Sequence, residues 1–239
     1  MSLLDQCVCG VTLENSKFKR NDLQFLVCDC GVIRLHSDQS AADYEGQYYG
    51  AYHAAADRHP GCIPYKDRYK HDKSVAWARW TEYMRVAEAH KISLFSSLDV
   101  GASNGAFADY LTKQGIRAIG IDPDPAMFGG RVLTGSARMI KIRSSLVTYH
   151  DVLAHILDPQ AELDHAGKHL LDPNGLIVVD VPDVAEPNGF HHFKAEHPWY
   201  FTEQSLKDML GMAALTPIEV TRPIPGKLVV YAKRIRNEA

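Results

Sequence analysis

The run Asp99-Val100-Gly101-Ala102-Ser103-Asn104-Gly105 carries the clearest chemical signal in the sequence. Small residues at 101, 103 and 105 let a backbone turn tightly and approach a ligand closely, and a helix start behind them offers unpaired N–H groups. A cofactor is expected there, and three chemistries compete for the turn. A dinucleotide fingerprint needs glycine at the first, third and sixth positions of G-x-G-x-x-G. Those positions hold Gly101, Ser103 and Ala106, so that pattern fails twice. Gly101-Ala-Ser103-Asn-Gly105 also fits G-x-S-x-G, the strand-to-helix turn that presents a nucleophilic serine in hydrolases, and Asp183 and His191 follow in suitable chain order. Such a turn belongs deep within a sheet already under construction, whereas cysteine turns, tyrosines and one helix precede this one. The third chemistry uses two carboxylates, Asp99 before the turn and Asp122 at the end of Arg117-Ala-Ile-Gly-Ile-Asp122. A carboxylate at the tip of that neighbouring strand faces the same crevice and can accept two hydrogen bonds from a ribose diol. Taken alone, Asp122 could also cap a turn before Pro123.

Two further groups carry chemistry. Cysteines stand at 7, 9, 28, 30 and 62 and nowhere later. In a reducing compartment such clustering serves a metal more often than a disulfide. Cys7, Cys9, Cys28 and Cys30, from two C-x-C-G turns, can complete a structural tetrahedral zinc shell with no position left for water. Unligated or oxidised cysteines are the alternative, since C-x-C is tighter than the common C-x-x-C, and Cys62 has no evident partner. Downstream, Glu196-His197 sets a near-neutral base beside a carboxylate, although the pair could instead cap the helix that Thr202 begins. His191 and His192 are alternative bases, and His155 reads as a structural or cofactor-side residue. Pro123 and His150, next to the ends of the second and fourth strand-like runs, are expected on the cofactor side.

These residues need a scaffold, and the hydrophobic pattern supplies one. Strands are expected at Leu94–Val100, Arg117–Asp122, Arg131–Thr134, Leu146–Tyr149 and Leu176–Val181, with helices after the first, fourth and fifth. That alternation predicts a parallel sheet with helices on both faces. Ile218–Thr221 and Leu228–Ala232 read as a closing antiparallel pair. Ahead of the sheet, Val75, Trp77, Ala78, Trp80, Met84 and Ala87 recur at helical spacing, predicting a helix from Lys73 to His90. Three units are expected: a cysteine module over 1–40 built of two short hairpins, a tyrosine-rich lid over 41–72 in which Tyr48 or Tyr49 could reach a substrate, and the sheet domain over 73–239.

Composition narrows the partners. A net charge of −3 over 239 residues gives no field that would gather nucleic acid or an anionic membrane. There is no apolar run of about 18 residues, and Met1-Ser-Leu-Leu-Asp-Gln-Cys7 lacks the layout of a signal peptide. A soluble cytoplasmic protein acting on a small molecule is expected, and nothing in the sequence sets an oligomeric state.

With Asp99, Gly101 to Gly105 and Asp122 in this arrangement, the sequence resembles the class I S-adenosylmethionine-dependent methyltransferases over roughly residues 94 to 182. The resemblance implies a Rossmann-like sheet. It implies that Asp99, Gly101, Ala102, Ser103 and Gly105 line the methionine moiety of the cofactor and that Asp122 binds its ribose. The cysteine turns, the tyrosine segment and Glu196-His197-Pro-Trp-Tyr-Phe201 together resemble the zinc-binding C-methyltransferases of nucleotide-linked keto-sugars. That likeness implies zinc on the four cysteines, a zinc-ribbon-like module, and proton removal by His197 with Glu196 orienting it. The chain departs from the family in its C-x-C spacing, in the short interval between Met127 and Leu146, in Ser136-Ala137 near the expected adenine position, and in Ala154, where an acidic residue is common. An O- or N-methyltransferase of a small metabolite is the nearest rival. A degenerate methyltransferase fold that binds a protein partner is the rival from another class.

Overall fold

A computed structural model describes residues 7–9, 17–20, 23–36, 65–124, 131–186 and 196–234. Tyr44, Tyr48, Tyr49 and Tyr52 of the expected lid, Cys62, and His191 and His192 lie outside the described residues. The first elements are three short antiparallel strands, β1 (Lys17–Arg20), β2 (Leu23–Val27) and β3 (Ile33–His36). A long helix follows, α1 (Tyr65–Ala89). The large sheet then begins with β4 (Ser96–Val100), α2 (Ala106–Lys113), β5 (Arg117–Asp122), β6 (Val132–Thr134) and β7 (Ser144–His150). It continues through α3 (Pro159–His165), β8 (Leu171–Pro182), the two-residue β9 (Trp199–Tyr200), α4 (Glu203–Met212), β10 (Leu215–Thr221) and β11 (Lys227–Arg234).

The large sheet runs β10-β11-β8-β7-β4-β5-β6. Strands β4 to β8 are mutually parallel, and β11 and β10 close the sheet antiparallel. Central strands are buried along nearly their whole length, as expected where both faces are covered. Leu98, Val100, Val147, Tyr149, Ile177 and Val179 fill one face. Leu146, Leu176, Val178, Val229 and Tyr231 pack on the other against Tyr83 and Val86 of α1 and Phe107 and Leu111 of α2. From β4 the chain steps outward to β5 and β6, then returns to lay β7 on the opposite side of β4. The order therefore reverses between β4 and β7, and in open α/β sheets ligands bind outside the carboxyl ends of the strands at such a reversal. This is a Rossmann-like α/β fold with helices on both faces, as the alternation of runs predicts.

Several bounds differ from the sequence expectation for physical reasons. Helix α1 starts at Tyr65 rather than Lys73 because polar contacts, which hydrophobic spacing does not register, hold its first turns. Tyr69 donates to Asp109 Oδ2 at 2.8 Å, and Asp72 Oδ2 accepts from Asn104 Nδ2 at 2.9 Å. Strand β7 begins two residues early. Its Ser145 hydroxyl accepts the N–H groups of Phe95 and Ser96 and donates to the Ser96 carbonyl, so polar residues satisfy the ladder there. Strand β8 begins at Leu171 rather than Leu176 and includes Pro173-Asn-Gly175, where the register to β7 shifts past Ser144 and the segment bulges from the ladder. Between β6 and β7 the short interval holds only a 3₁₀ turn, Ala137–Met139, among the described residues.

The small sheet is completed from far along the chain. β9 pairs antiparallel with β3, Ile33 opposite Tyr200 and Arg34 opposite Trp199, and Leu35 N–H donates to the Pro198 carbonyl at 2.9 Å. Cys7, Leu26, Cys28 and Val32 share one buried cluster with Leu98 and Phe201. Gly31 permits this docking. Its φ is +86°, and a Cβ there would stand 2.8 Å from the hydroxyl of Thr202. No helix among the described residues is long and apolar enough to cross a membrane.

Candidate active site

The turn between β4 and α2 is a series of left-handed residues: φ is +67° at Gly101, +50° at Ser103 and +74° at Gly105. A Cβ at Gly101 would lie 2.3 Å from a Val152 methyl, and one at Gly105 would lie 2.7 Å from a Val132 methyl, so both positions need glycine for space as well as conformation. Ser103 adopts the same conformation with a side chain, at a cost of about 1 kcal/mol. Ala102 is buried against Gly120 of β5, whose absent Cβ would overlap it at 2.4 Å. The turn is tied down by the next strand. Gly101 N–H donates to the Ile121 carbonyl at 2.8 Å, and Ser103 N–H donates to Asp122 Oδ2 at 2.9 Å. Asp122 Oδ1 accepts Asp124 N–H at 2.9 Å, and Pro123 between them is exposed. Asn104 Oδ1 accepts Ala106 N–H at 3.0 Å, closing the first turn of α2.

Asp99 sits below the turn and is buried. Its Oδ1 accepts the Thr148 hydroxyl at 2.7 Å and lies 3.0 Å from His150 Nδ1; Oδ2 accepts no hydrogen bond among the described residues. A carboxylate only accepts, so the Nδ1 proton of His150 faces it and Nε2 takes the Tyr83 hydroxyl, 2.7 Å away. His150 therefore spends both ring nitrogens inside the protein, edge-on to Phe107. Four more charges continue the row along the carboxyl edge of the sheet. Lys227 Nζ contacts Asp151 and lies 2.9 Å from Asp180 Oδ1, and Arg79 of α1 lies 3.5 Å from Asp180 Oδ2. Burial works to raise the Asp180 carboxyl, but Lys227 and Arg79 outweigh it and hold it down to about 2. Burial likewise works to lower the Lys227 ammonium, and Asp180 and Asp151 overcome it, so its pKa is raised. None of Tyr83, Arg79, Thr148, Asp180 or Lys227 stands out in a motif. Polar residues interrupting apolar strand runs, Thr148 and Asp180, were the available signal.

The Glu196-His197 pair lies where the small sheet meets this edge. His197 is buried, its ring 4.5 Å from that of His155 and 5.7 Å from that of Tyr200. His155, on a 3₁₀ turn just beyond β7, has Nδ1 2.7 Å from the Glu196 carbonyl. Phe201 bridges to Asp183 just past the carboxyl end of β8. The capping alternative for this pair fails, because Thr202 and Ser205 form a reciprocal capping box at α4. Asp183, which a serine relay would require, accepts from Arg222 Nε at 2.6 Å and from Ala185 N–H at 3.0 Å.

Cys7, Cys9, Cys28 and Cys30 converge, all four sulfurs lying within 4.8 Å of one another, with 3.4 Å between Cys7 and Cys30 and 3.5 Å between Cys9 and Cys28. Zinc–sulfur bonds of about 2.3 Å in a tetrahedron put sulfurs roughly 3.8 Å apart, so small shifts would fit the set to zinc. Burial raises the Cys7 thiol, and it raises Cys30 to about 11. Thiols so placed stay protonated near neutrality unless a metal displaces the proton.

A family model described as a methyltransferase domain matches residues 69–220. No curated protein sequence matches the chain. Among solved structures, the Burkholderia thailandensis 1,6-didemethyltoxoflavin-N1-methyltransferase with bound 1,6-didemethyltoxoflavin and S-adenosylhomocysteine aligns at a TM-score of 0.59 and 17% identity, covering 93% of this chain and all of that one. The magnesium protoporphyrin IX methyltransferase of Synechocystis PCC 6803 with bound S-adenosylhomocysteine aligns at 0.55 and 12%, covering 81% and 100%. An S-adenosylmethionine-dependent methyltransferase of Clostridium acetobutylicum ATCC 824 aligns at 0.53 and 10%, covering 81% and 98%. The matched span takes in most of α1, the Gly101–Gly105 turn, Asp122 and the whole row of buried charges except Lys227, and the chain belongs to the methyltransferase-domain family.

Proposed function

We propose that the protein transfers a methyl group from S-adenosylmethionine to a small-molecule acceptor. The observation that carries this reading is the left-handed turn Gly101–Gly105, bonded through Ser103 N–H to Asp122 at the reversal point of the sheet. The residues fit the cofactor. Gly101 and Gly105 carry no side chain where Val152 and Val132 leave no room for one, and Asp99 Oδ2 is an acceptor for an ammonium. Asp122, a carboxylate at the tip of β5, is of the acceptor type that a ribose hydroxyl needs. When bound, the cofactor supplies an electrophilic methyl group on a sulfonium that leaves as a neutral thioether. Asp99 holds the methionine end, with Gly101, Ala102, Ser103 and Gly105 lining it, and Asp122 beside Pro123 holds the ribose. His150 serves the cofactor through Asp99, by fixing the carboxylate with Tyr83 behind it. Neighbours of this fold with S-adenosylhomocysteine bound support the assignment.

For the acceptor, the buried place of His197 against His155 and Tyr200 favours carbon methylation of a keto-sugar linked to a nucleotide. His197 would take the proton alpha to the ketone while that carbon bonds the methyl group, with Glu196 orienting the base. Nitrogen or oxygen methylation of a small metabolite is the second reading, favoured by the N-methyltransferase among the neighbours. The four cysteines are assigned to a structural zinc ion that fixes the module against β9. Titration calorimetry with S-adenosylhomocysteine tests the core of the proposal. Binding by the wild type and its loss in Asp122→Ala are expected; a folded wild type that binds neither S-adenosylmethionine nor S-adenosylhomocysteine would overturn it and leave the degenerate partner-binding module. Turnover screened over nucleotide keto-sugars then names the acceptor.

A further inference from the structure

We propose that Lys227 is a positioning residue for the Gly101–Gly105 turn, acting through Asp151 and Val152. Lys227 opens β11, and two strands, β8 and β7, lie between it and β4, which leads into the turn. Its side chain is only 8% exposed, and its ammonium is bracketed by Asp180 at 2.9 Å and by Asp151. Asp151 is the residue under constraint. Its φ is +57°, a conformation that costs a side-chain-bearing residue about 1 kcal/mol and that glycine adopts freely. Both ends of Asp151 are held there. Its N–H lies 3.2 Å from the Asp180 carbonyl and 3.1 Å from Asp180 Oδ1, and its carboxylate meets Lys227.

The next residue transmits the constraint. Both Val152 methyls crowd the α-carbon of Gly101, standing 2.3 and 2.9 Å from where a Cβ would be. Packing this close leaves the turn no freedom to settle independently of Val152, and Val152 follows directly from the pinned Asp151. Stability alone is a poor explanation of the arrangement. Buried ion pairs are often replaced by apolar residues without loss, β11 is otherwise apolar through Leu228, Val229 and Val230, and glycine at 151 would remove the strain. Arg79 beside Asp180 balances the group, two carboxylates against two cations. The arrangement keeps a charged tether at a strained residue one step from the turn.

The consequence for the cofactor rests on the reading of the turn given above, so the test has one arm without ligand. Asp151→Gly relieves the strain and cuts the tether; Lys227→Met cuts it from the other end. In Asp151→Gly we expect a Tm equal to or above that of the wild type, S-adenosylhomocysteine affinity weakened more than threefold, and amide exchange at Gly101 and Ser103 accelerated more than threefold in the ligand-free protein. Lys227→Met should repeat the last two effects; should it fail to fold, Asp151→Gly decides alone. A folded Asp151→Gly with Gly101 and Ser103 exchange within threefold of the wild type overturns the proposal. Faster exchange with unchanged affinity also overturns it, since the turn would then move without consequence for binding. If the wild type binds no S-adenosylhomocysteine, the cofactor reading fails, and the exchange arm still decides whether Lys227 holds the turn.

Discussion

The turn after β4 and the junction of β3 with β9 lie at the same end of the large sheet, but they are built in opposite ways. The turn is local. Asp99, the left-handed residues and the start of α2 fall within one short stretch, and its outside anchor, Asp122, ends the very next strand. The junction is assembled from distant pieces: cysteine turns at 7–9 and 28–30, Arg34 opposite Trp199, and His155 reaching the carbonyl of Glu196. Under the proposed function, the local unit holds the cofactor and the assembled one recognises the acceptor. A cofactor loop can thus be kept while the acceptor wall is rebuilt from other parts of the chain.

The sharpest division is at His197. His197→Ala should lower kcat by roughly 10²- to 10⁴-fold, the usual contribution of a positioned base, while S-adenosylhomocysteine affinity stays within twofold; unchanged turnover would move the base elsewhere. Asp122→Ala should do the reverse. Losing the carboxylate that accepts from the turn and, as proposed, from the cofactor should weaken S-adenosylhomocysteine by roughly 10- to 100-fold in calorimetry, on the order of 1.5–3 kcal/mol. Metal analysis of protein purified without chelator should find about one zinc per chain. In Cys28→Ser it should find almost none, with the acceptor KM raised several-fold and cofactor affinity unaltered. A cofactor affinity that fell with the zinc would erase the distinction between the two regions.

Two smaller effects bear on the turn side. Asp180 is held down to about 2 against an ordinary 3.8, so its contribution to stability is complete above about pH 4 and is lost as pH falls toward 2. Urea unfolding between those values should show the decline, and Asp180→Asn should flatten it. Ser103→Gly should raise stability by about 0.5 kcal/mol, the relief of left-handed strain less the added freedom of the unfolded chain, and leave methyl transfer intact. Loss of activity in that folded variant would return the serine to a chemical role.

What the sequence disclosed follows the same division. Hydrophobic alternation located every strand of the large sheet, because buried parallel strands are nearly continuous apolar runs, and Arg117–Asp122 was found to the residue. The early turns of α1 were missed because Tyr69 and Asp72 are fixed by partners on α2 and the turn rather than by apolar spacing. Of the row from Tyr83 through His150 and Asp99 to Lys227, the sequence offered Asp99 and His150 but not their partners, for a similar reason. Tyr83, Arg79, Thr148, Asp180 and Lys227 are each an isolated polar residue in its own segment, and only the sheet order brings them together. His197 was visible as a candidate, but its neighbours His155 and Tyr200 depend on the pairing of β3 with β9, which no local pattern encodes.

That two-residue pairing also bears on how the chain comes to be folded during synthesis. Trp199 leaves the ribosome long after His36, roughly 8–30 s later at about 5–20 residues per second. Throughout that interval β3 has an unfilled edge, and unpaired strand edges invite association with other chains. The cysteine turns flank that edge, so a metal captured early would hold the waiting hairpin in shape until its last strand arrives.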